Sequence, residues 1–280
     1  QSTPCPILVV TSTVTGNSAK VFEAMSVGAL DAVATPVMDK KGEAVKGEEL
    51  LKKINRIGQL TGSLRKKPGK APNVAPRPKI QVEGVDLVII GASTGGPKVL
   101  IEILSALSKD IPASIILIQH MDEQFTPGLV HWLNSKITLP VRIAQDGDIP
   151  EPGKVLMACT DNHLIMTPRL TLSYTREPAD NFYHPSVDVF FSSVARYWPD
   201  VGIAALLTGM GRDGAEGLLA LRNRNWYTIA QDQESSIVYG MPKAAAELKA
   251  ATDILPGSKI GEAIKNYIYA KQMTTHEQRK

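Results

Sequence analysis

The sequence predicts an α/β fold: a mostly parallel, doubly wound sheet with helices on both faces and a small antiparallel ribbon, preceded by a shorter β-α-β-α stretch. Three observations carry this expectation. From residue 84 onward, buried apolar runs of strand length alternate with amphipathic segments of helical spacing, which means a parallel sheet covered by helices. One of those runs, VDLVIIG at 85–91, passes through a glycine-rich turn directly into a helix. A basic, proline-rich segment, RKKPGKAPNVAPRPK at 65–79, divides the two parts, with four prolines, six positive charges and almost nothing to anchor a core.

The elements follow in order. PILVV (6–10) has a buried-strand pattern, SAKVFEAMSVGA (18–29) helical apolar spacing, LDAVATP (30–36) a second strand and ELLKKINRIGQL (49–60) a second helix. A chain that opens on such a strand, and on Gln instead of Met, reads as cut. Two strands and two helices bury little surface alone, so this half is expected to pack on the downstream part or on a missing half. Downstream, strands at 85–91, 114–119, 140–145 and 202–208 alternate with helices near 97–108, 125–136 and 213–223. KVLMA, NHLIMT and LTLSYT, within 154–175, are spaced like short antiparallel ribbons. The boundaries expected are 1–64, a linker at 65–83, a main domain at 84–270 and a frayed tail at 271–280.

Composition excludes several classes. With 280 residues and 43% hydrophobic content the chain can bury a substantial core. No run reaches the roughly 18 to 20 apolar residues of a membrane helix, and the N-terminus lacks signal-peptide order, so a cytoplasmic, not membrane-embedded, protein is the default. The formal charge is only +3 and its excess of Lys and Arg is gathered in the linker, a poor footprint for nucleic acid. The two cysteines, Cys5 and Cys159, are too few for a disulfide framework and give no metal site.

Gly91-Ala92-Ser93-Thr94-Gly95 satisfies G-x-S-x-G, a strand-to-helix turn that lifts a serine hydroxyl above the sheet. The helix start also aims backbone N–H groups beside Ser93, donors that suit an oxyanion or a phosphate equally well. A serine nucleophile needs a base, and His120 ends the next strand run, SIILIQH. A third member must orient the imidazole, and Asp213 in LLTGMGRDGAEG lies beyond another buried strand. A helix cap explains Asp213 without catalysis, because Asp213 and Glu216 form D-x-x-E before an apolar run. The chain order Ser, His, Asp differs from the Ser, Asp, His of α/β-hydrolases, so the chemistry would sit on another fold.

Five blocks in sequence, GASTGGP (91–97), IQHM (118–121), HPSVDVFF (184–191), TGMGRDGA (208–215) and YGMP (239–242), resemble the catalytic domain of the chemotaxis-type protein-glutamate methylesterase (CheB) family. The resemblance implies a triad of Ser93, His120 and Asp213, with Thr94, Gly95, Met210 and Gly211 at the oxyanion hole and substrate cleft. It implies hydrolysis of glutamate methyl esters on methylated chemoreceptor-type proteins with release of methanol, often with glutamine deamidation, and no cofactor or metal. His184, Ser186, Asp188, Asp161 and His163 are polar turn residues that could line the cleft or cap helices; Phe182 and Tyr183 read as packing. The upstream part is similar to the C-terminal half of a flavodoxin-like response-regulator receiver domain, with Thr11 at the switch hydroxyl and Thr35-Pro36 in place of the usual Lys-Pro. The phosphoacceptor would belong to the other half, and a sensor histidine kinase would be the partner of the intact parent. The Ala34-Thr35-Pro36 tripeptide and the linker resemble the WspF-like subgroup. The rival readings are a phosphate- or nucleotide-binding regulatory module and a catalytically silent receptor-array partner.

Overall fold

Residues 7–12, 18–38, 44–45, 47–60 and 86–277 are described in the computed structural model; Cys5 and the segment expected as a linker lie outside them. The N-terminal stretch is β1 (Leu8–Thr11), α1 (Ser18–Ser26), β2 (Asp31–Ala34), the short antiparallel pair β3 (Val37–Met38) and β4 (Ala44–Val45), and α2 (Gly47–Leu60). β1 and β2 pair in parallel, Leu8 opposite Asp31 and Thr11 opposite Ala34. Lys53 of α2 is nearly buried, and its ammonium is satisfied by the Asp31 carboxylate at 3.1 Å and by the Ala32 carbonyl.

The main part runs β5 (Asp86–Ala92), α3 (Gly96–Ser105), β6 (Ala113–Gln119), a 3-10 turn (Glu123–Phe125), α4 (Thr126–Lys136), β7 (Val141–Ile143), β8 (Val155–Met157), β9 (His163–Met166), β10 (Leu172–Thr175), α5 (Val187–Tyr197), β11 (Ile203–Leu206), α6 (Ala215–Arg222), β12 (Tyr227–Gln231), α7 (Met241–Glu247), β13 (Asp253–Leu255) and α8 (Gly257–Glu277). Seven strands form one sheet in the order β13-β12-β11-β5-β6-β8-β7, and every pairing in it is parallel.

Alternation along the strands divides the apolar residues between two cores, as a period of two requires. Val88 and Ile90 of β5, Ile115 and Leu117 of β6 and Val155 and Met157 of β8 face α3, α4 and α8. Leu87 and Ile89, Ile116 and Ile118, and Leu156 face α5, α6 and α7. Nearly continuous burial on both sides is what makes these strands read as unbroken apolar runs. The N-terminal stretch joins the first of these cores: Phe22 of α1 is fully buried with its ring centroid 5.6 Å from that of Trp132 of α4.

Two expectations change. KVLMA, read as part of a ribbon, supplies β8, which sits in parallel between β6 and β7; only β9 and β10 form the antiparallel pair, Leu172 opposite Met166. The run is fully buried on both faces, and a three-residue strand carries too little pattern to distinguish the two pairings. The helix α8 continues through Glu277, over residues that the sequence suggested as a tail.

From β5 the chain builds outward to one side through β6, β8 and β7, then returns to build the other side from β11. The order therefore reverses between β5 and β11, and a crevice forms beyond their carboxyl ends, where open α/β sheets hold ligands. Ser93 follows β5, His120 follows β6, and the 208–214 loop follows β11.

Candidate active site

The turn after β5 is shaped by close approach more than by strain. Gly95 has φ +81° and begins α3, the one place in the motif where a left-handed residue is required. Gly91 is glycine for a different reason: an added Cβ would lie 2.4 Å from Val187 Cγ1 of α5. Ser93 itself is 7% exposed. Its amide donates to Thr208 O at 3.0 Å, and its carbonyl accepts from Gly96 N at 2.9 Å and Gln119 Nε2 at 2.8 Å.

β5 and β6 end in register, Ala92 opposite Gln119, and His120 N donates to Ala92 O at 2.9 Å. The next residues of the two strands, Ser93 and His120, therefore emerge side by side at the sheet's edge. His120 Nε2 lies 2.7 Å from Asp213 Oδ2, with both side chains 4% exposed. Nδ1 is buried and has no hydrogen-bond partner among the described residues. Because the carboxylate accepts the Nε2 proton, Nδ1 keeps its lone pair, and it is the nitrogen left to serve Ser93. No hydrogen bond joins Ser93 to His120. Tyr183 stacks on the imidazole with centroids 4.5 Å apart and planes at 9°, so the ring is held on its face as well as its edge.

Asp213 does not cap the helix that follows it. α6 starts after Gly214, φ +92°, with no side-chain cap. The carboxylate instead lies across the start of α5: Oδ1 accepts from Ser186 Oγ at 2.7 Å and Asp188 N at 3.2 Å, and Oδ2 from Val187 N at 2.6 Å as well as from His120. A carboxylate at a helix N-terminus gains from the amides and the dipole together. Burial opposes its charge, but the His120 ring, the Ser186 hydroxyl and the Val187 amide hold its carboxyl below the usual range. Asp213 is thus the ionised group, with lone pairs for both duties.

Among the described residues, the amides of Thr94, Gly95, Met210 and Gly211 donate to no protein acceptor, which leaves the donors expected of an oxyanion site in place. Gly209 brings the two loops together, since an added Cβ would meet Ser93 Cβ at 2.6 Å. Thr208 ties them: its hydroxyl donates to Thr94 O at 2.9 Å and accepts from Val238 N at 2.9 Å, while its amide donates to Gln231 Oε1 at 2.8 Å. The sequence gives no individual role to Gly209, Thr208, Gln231 or Gln119; Gly209 acts by leaving space, and the other three side chains bond backbone atoms of distant loops, for which a local pattern offers no sign.

Of the other polar turn residues, Ser186 has two roles, capping α5 through Val189 N at 3.3 Å and donating to Asp213. His163 is buried, accepts from Ser186 N at 3.1 Å on Nδ1 and lies 3.2 Å from Pro178 O on Nε2, which fixes its tautomer; burial, and to a lesser degree the neighbouring His184, lower its pKa below the usual imidazole value. Asp161 and His184 are exposed; the His184 ring lies against that of His163, with centroids 4.6 Å apart. Asp188 accepts from Gly217 N of α6 at 2.7 Å. No group of three His, Cys, Asp or Glu that could hold a metal occurs among the described residues.

Residues 88–264 match the family model described as CheB methylesterase. A protein-glutamate methylesterase/protein-glutamine glutaminase of Burkholderia thailandensis is 48% identical over 264 residues, covering 94% of this chain and 76% of the relative. One from Cupriavidus pinatubonensis is 47% identical, covering 91% and 74%. The crystal structure of the Thermotoga maritima CheB methylesterase catalytic domain superposes with a TM-score of 0.63 at 36% identity, covering 65% of this chain and 98% of that domain. On the combined weight of fold, site and sequence, the chain belongs to the CheB methylesterase family.

Proposed function

We propose that this chain is a serine hydrolase that removes methyl esters from glutamate side chains of receptor proteins and releases methanol, in a chemotaxis-like signalling pathway on the cytoplasmic side of the membrane. The observation that carries the reading is the buried His120–Asp213 pair beside Ser93 at the sheet's reversal point. In this mechanism His120 Nδ1 takes the Ser93 hydroxyl proton as Oγ bonds to the ester carbonyl carbon. Asp213 keeps Nε2–H in place and steadies the imidazolium without becoming protonated. The carbonyl oxygen, now an oxyanion, is held by the amides of Thr94 or Gly95 on one side and Met210 or Gly211 on the other. His120 returns its proton to methoxide, methanol leaves, and water attacks the acyl-enzyme by the same route to give the free glutamate. A glutamine side chain forms the same acyl-enzyme with ammonia leaving, in keeping with the double name of the relatives.

In the β1–α2 stretch we read the second half of a receiver domain, through which a sensor histidine kinase would control a longer chain. The parallel β1–β2 pair, and Thr11 buried at the end of β1, support this. The deciding experiment is Ser93→Ala, assayed for methanol release from methylated receptor. Loss of all turnover with an unchanged circular dichroism spectrum is expected, and retained turnover would overturn the assignment.

A further inference from the structure

We propose that Gln119 is a positioning residue that fastens the Ser93 turn to the His120 turn, and that residue 96 is glycine in order to admit its side chain. The inference rests on the esterase reading of the site. The last backbone bond between β5 and β6 is His120 N to Ala92 O, after which the chains diverge, one into α3 and the other toward the 3-10 turn. No backbone hydrogen bond joins Ser93 to His120 directly. Gln119 bridges that gap: one Nε2 proton goes to Ser93 O at 2.8 Å and the other to His120 O at 3.1 Å. Both donors of the amide are spent on the two residues whose spacing the chemistry depends on.

The rest of the side chain argues that this is not a device for stability. Gln119 is 2% exposed, and its Oε1 is buried with no partner among the described residues. A buried amide oxygen left without a donor costs stability, which offsets what the two donated bonds contribute. Oε1 points at the start of α3, where a Cβ on residue 96 would lie 2.3 Å from it and 2.8 Å from Ala92 Cβ. Gly96 has ordinary φ, so its lack of a side chain answers to this contact and not to backbone strain. The double glycine of STGGP then has two separate causes: Gly95 for its φ, and Gly96 for the close approach of both the Gln119 amide and the Ala92 Cβ.

The test uses the full chain with four proteins: wild type, Q119L, G96A and the double variant, assayed for methanol release, for labelling of Ser93 by a fluorophosphonate, and for amide hydrogen exchange. Misplacement of reacting groups by an ångström costs up to about a hundredfold in rate. We expect Q119L to lose about 10- to 100-fold in kcat with KM within about twofold, and to melt within a few degrees of wild type. G96A should show the same kcat loss, and the double variant no more than either, because both remove one clamp. Exchange should quicken at 93–96 and 120–122 in Q119L and stay unchanged in β11 and β12. A wild type that neither labels nor releases methanol would sink the esterase reading, whereas the exchange result judges the clamp by itself. Full kcat in Q119L, additive losses in the double variant, or unaltered exchange at both turns would each overturn it.

Discussion

Asp213 and Asp188 cap each other's helices. Asp213, which precedes α6, accepts from the Val187 and Asp188 amides at the start of α5, and Asp188, in the first turn of α5, accepts from Gly217 N in α6. The exchange locks the two helices together around the pair that holds His120, and it places two carboxylates in one buried site. They divide the charge unequally. Asp213 stays ionised, while burial and then the charge of Asp213 push the Asp188 carboxyl up to about 7.

That division makes stability depend on pH. An ordinary aspartate titrates near 3.9, so from there up to about 7 the folded protein holds a proton on Asp188 that the unfolded chain has released. Stability therefore falls as pH rises through this window and is flat above it, by at most about 4 kcal/mol. Asp213, with a depressed pKa, contributes its stability above the unfolded value and loses it only in more acid solution, so it is constant over the same range. Asp188→Asn keeps an acceptor for Gly217 N and removes the titration. Urea unfolding should show the variant gaining on wild type by a few kcal/mol more at pH 8 than at pH 4.5. An equal difference at the two pH values would refute this account.

Asp213→Asn tests the orienting role. Four donors converge on the carboxylate, and an asparagine offers one acceptor oxygen and turns an NH2 group toward donors. The imidazole then loses the partner that keeps its proton on Nε2. A fall in kcat of roughly 10³ to 10⁴ is expected, by analogy with other aspartate-oriented histidines, together with about 1–3 kcal/mol of stability. Methanol-release kinetics on a variant shown to be folded decide it: a kcat within tenfold of wild type would leave Asp213 a structural cap only.

The legible and illegible parts of this site differ in physical kind. Ser93 and His120 were readable because each ends a fully buried strand, and parallel strands one helix apart end side by side; the register of Ala92 on Gln119 is that inference made concrete. Asp213 was ambiguous because its local pattern, D-x-x-E before an apolar run, is the same whether the carboxylate caps its own helix or its neighbour's, and only packing of α5 on α6 decides. β12, β13 and α8 were not called from the sequence; β13 has only three residues, too few to show a period. Gly209 and Gly91 act by leaving room for a partner distant in the chain, which no local pattern records.

Gly91→Ala follows from that last point. The new methyl would meet Val187 Cγ1 at 2.4 Å and Leu206 Cδ1 at 3.1 Å, and the Val187 amide is a donor to Asp213. Overpacking of this size costs about 1–3 kcal/mol. It should also lower kcat about tenfold by shifting the carboxylate that holds His120. Val187→Ala makes space for the methyl, so the double variant should recover activity that neither thermal stabilisers nor excess substrate restores. No recovery in the double variant would show that Gly91 acts through the backbone.

The seating of the N-terminal stretch can be read from one pair of rings. Phe22 is fully buried against Trp132, and Val21 and Met25 of α1 join the same core as α3 and α4. Phe22→Ala removes the largest apolar group that α1 contributes and leaves a cavity beside α4, at a cost of about 3–5 kcal/mol. If the loss falls on the docking of the stretch, limited proteolysis should cut before residue 86 much faster than in wild type, while the main sheet melts almost unchanged. Trp132 emission should shift to the red as water reaches its ring. Ser93 and His120 lie at the carboxyl edge, away from this contact, so kcat on a small methyl ester should stay within about twofold. Protection equal to wild type, with Trp132 still blue-shifted, would mean that α1 is held by the β1–β2 pair and α2 and not by the core it shares.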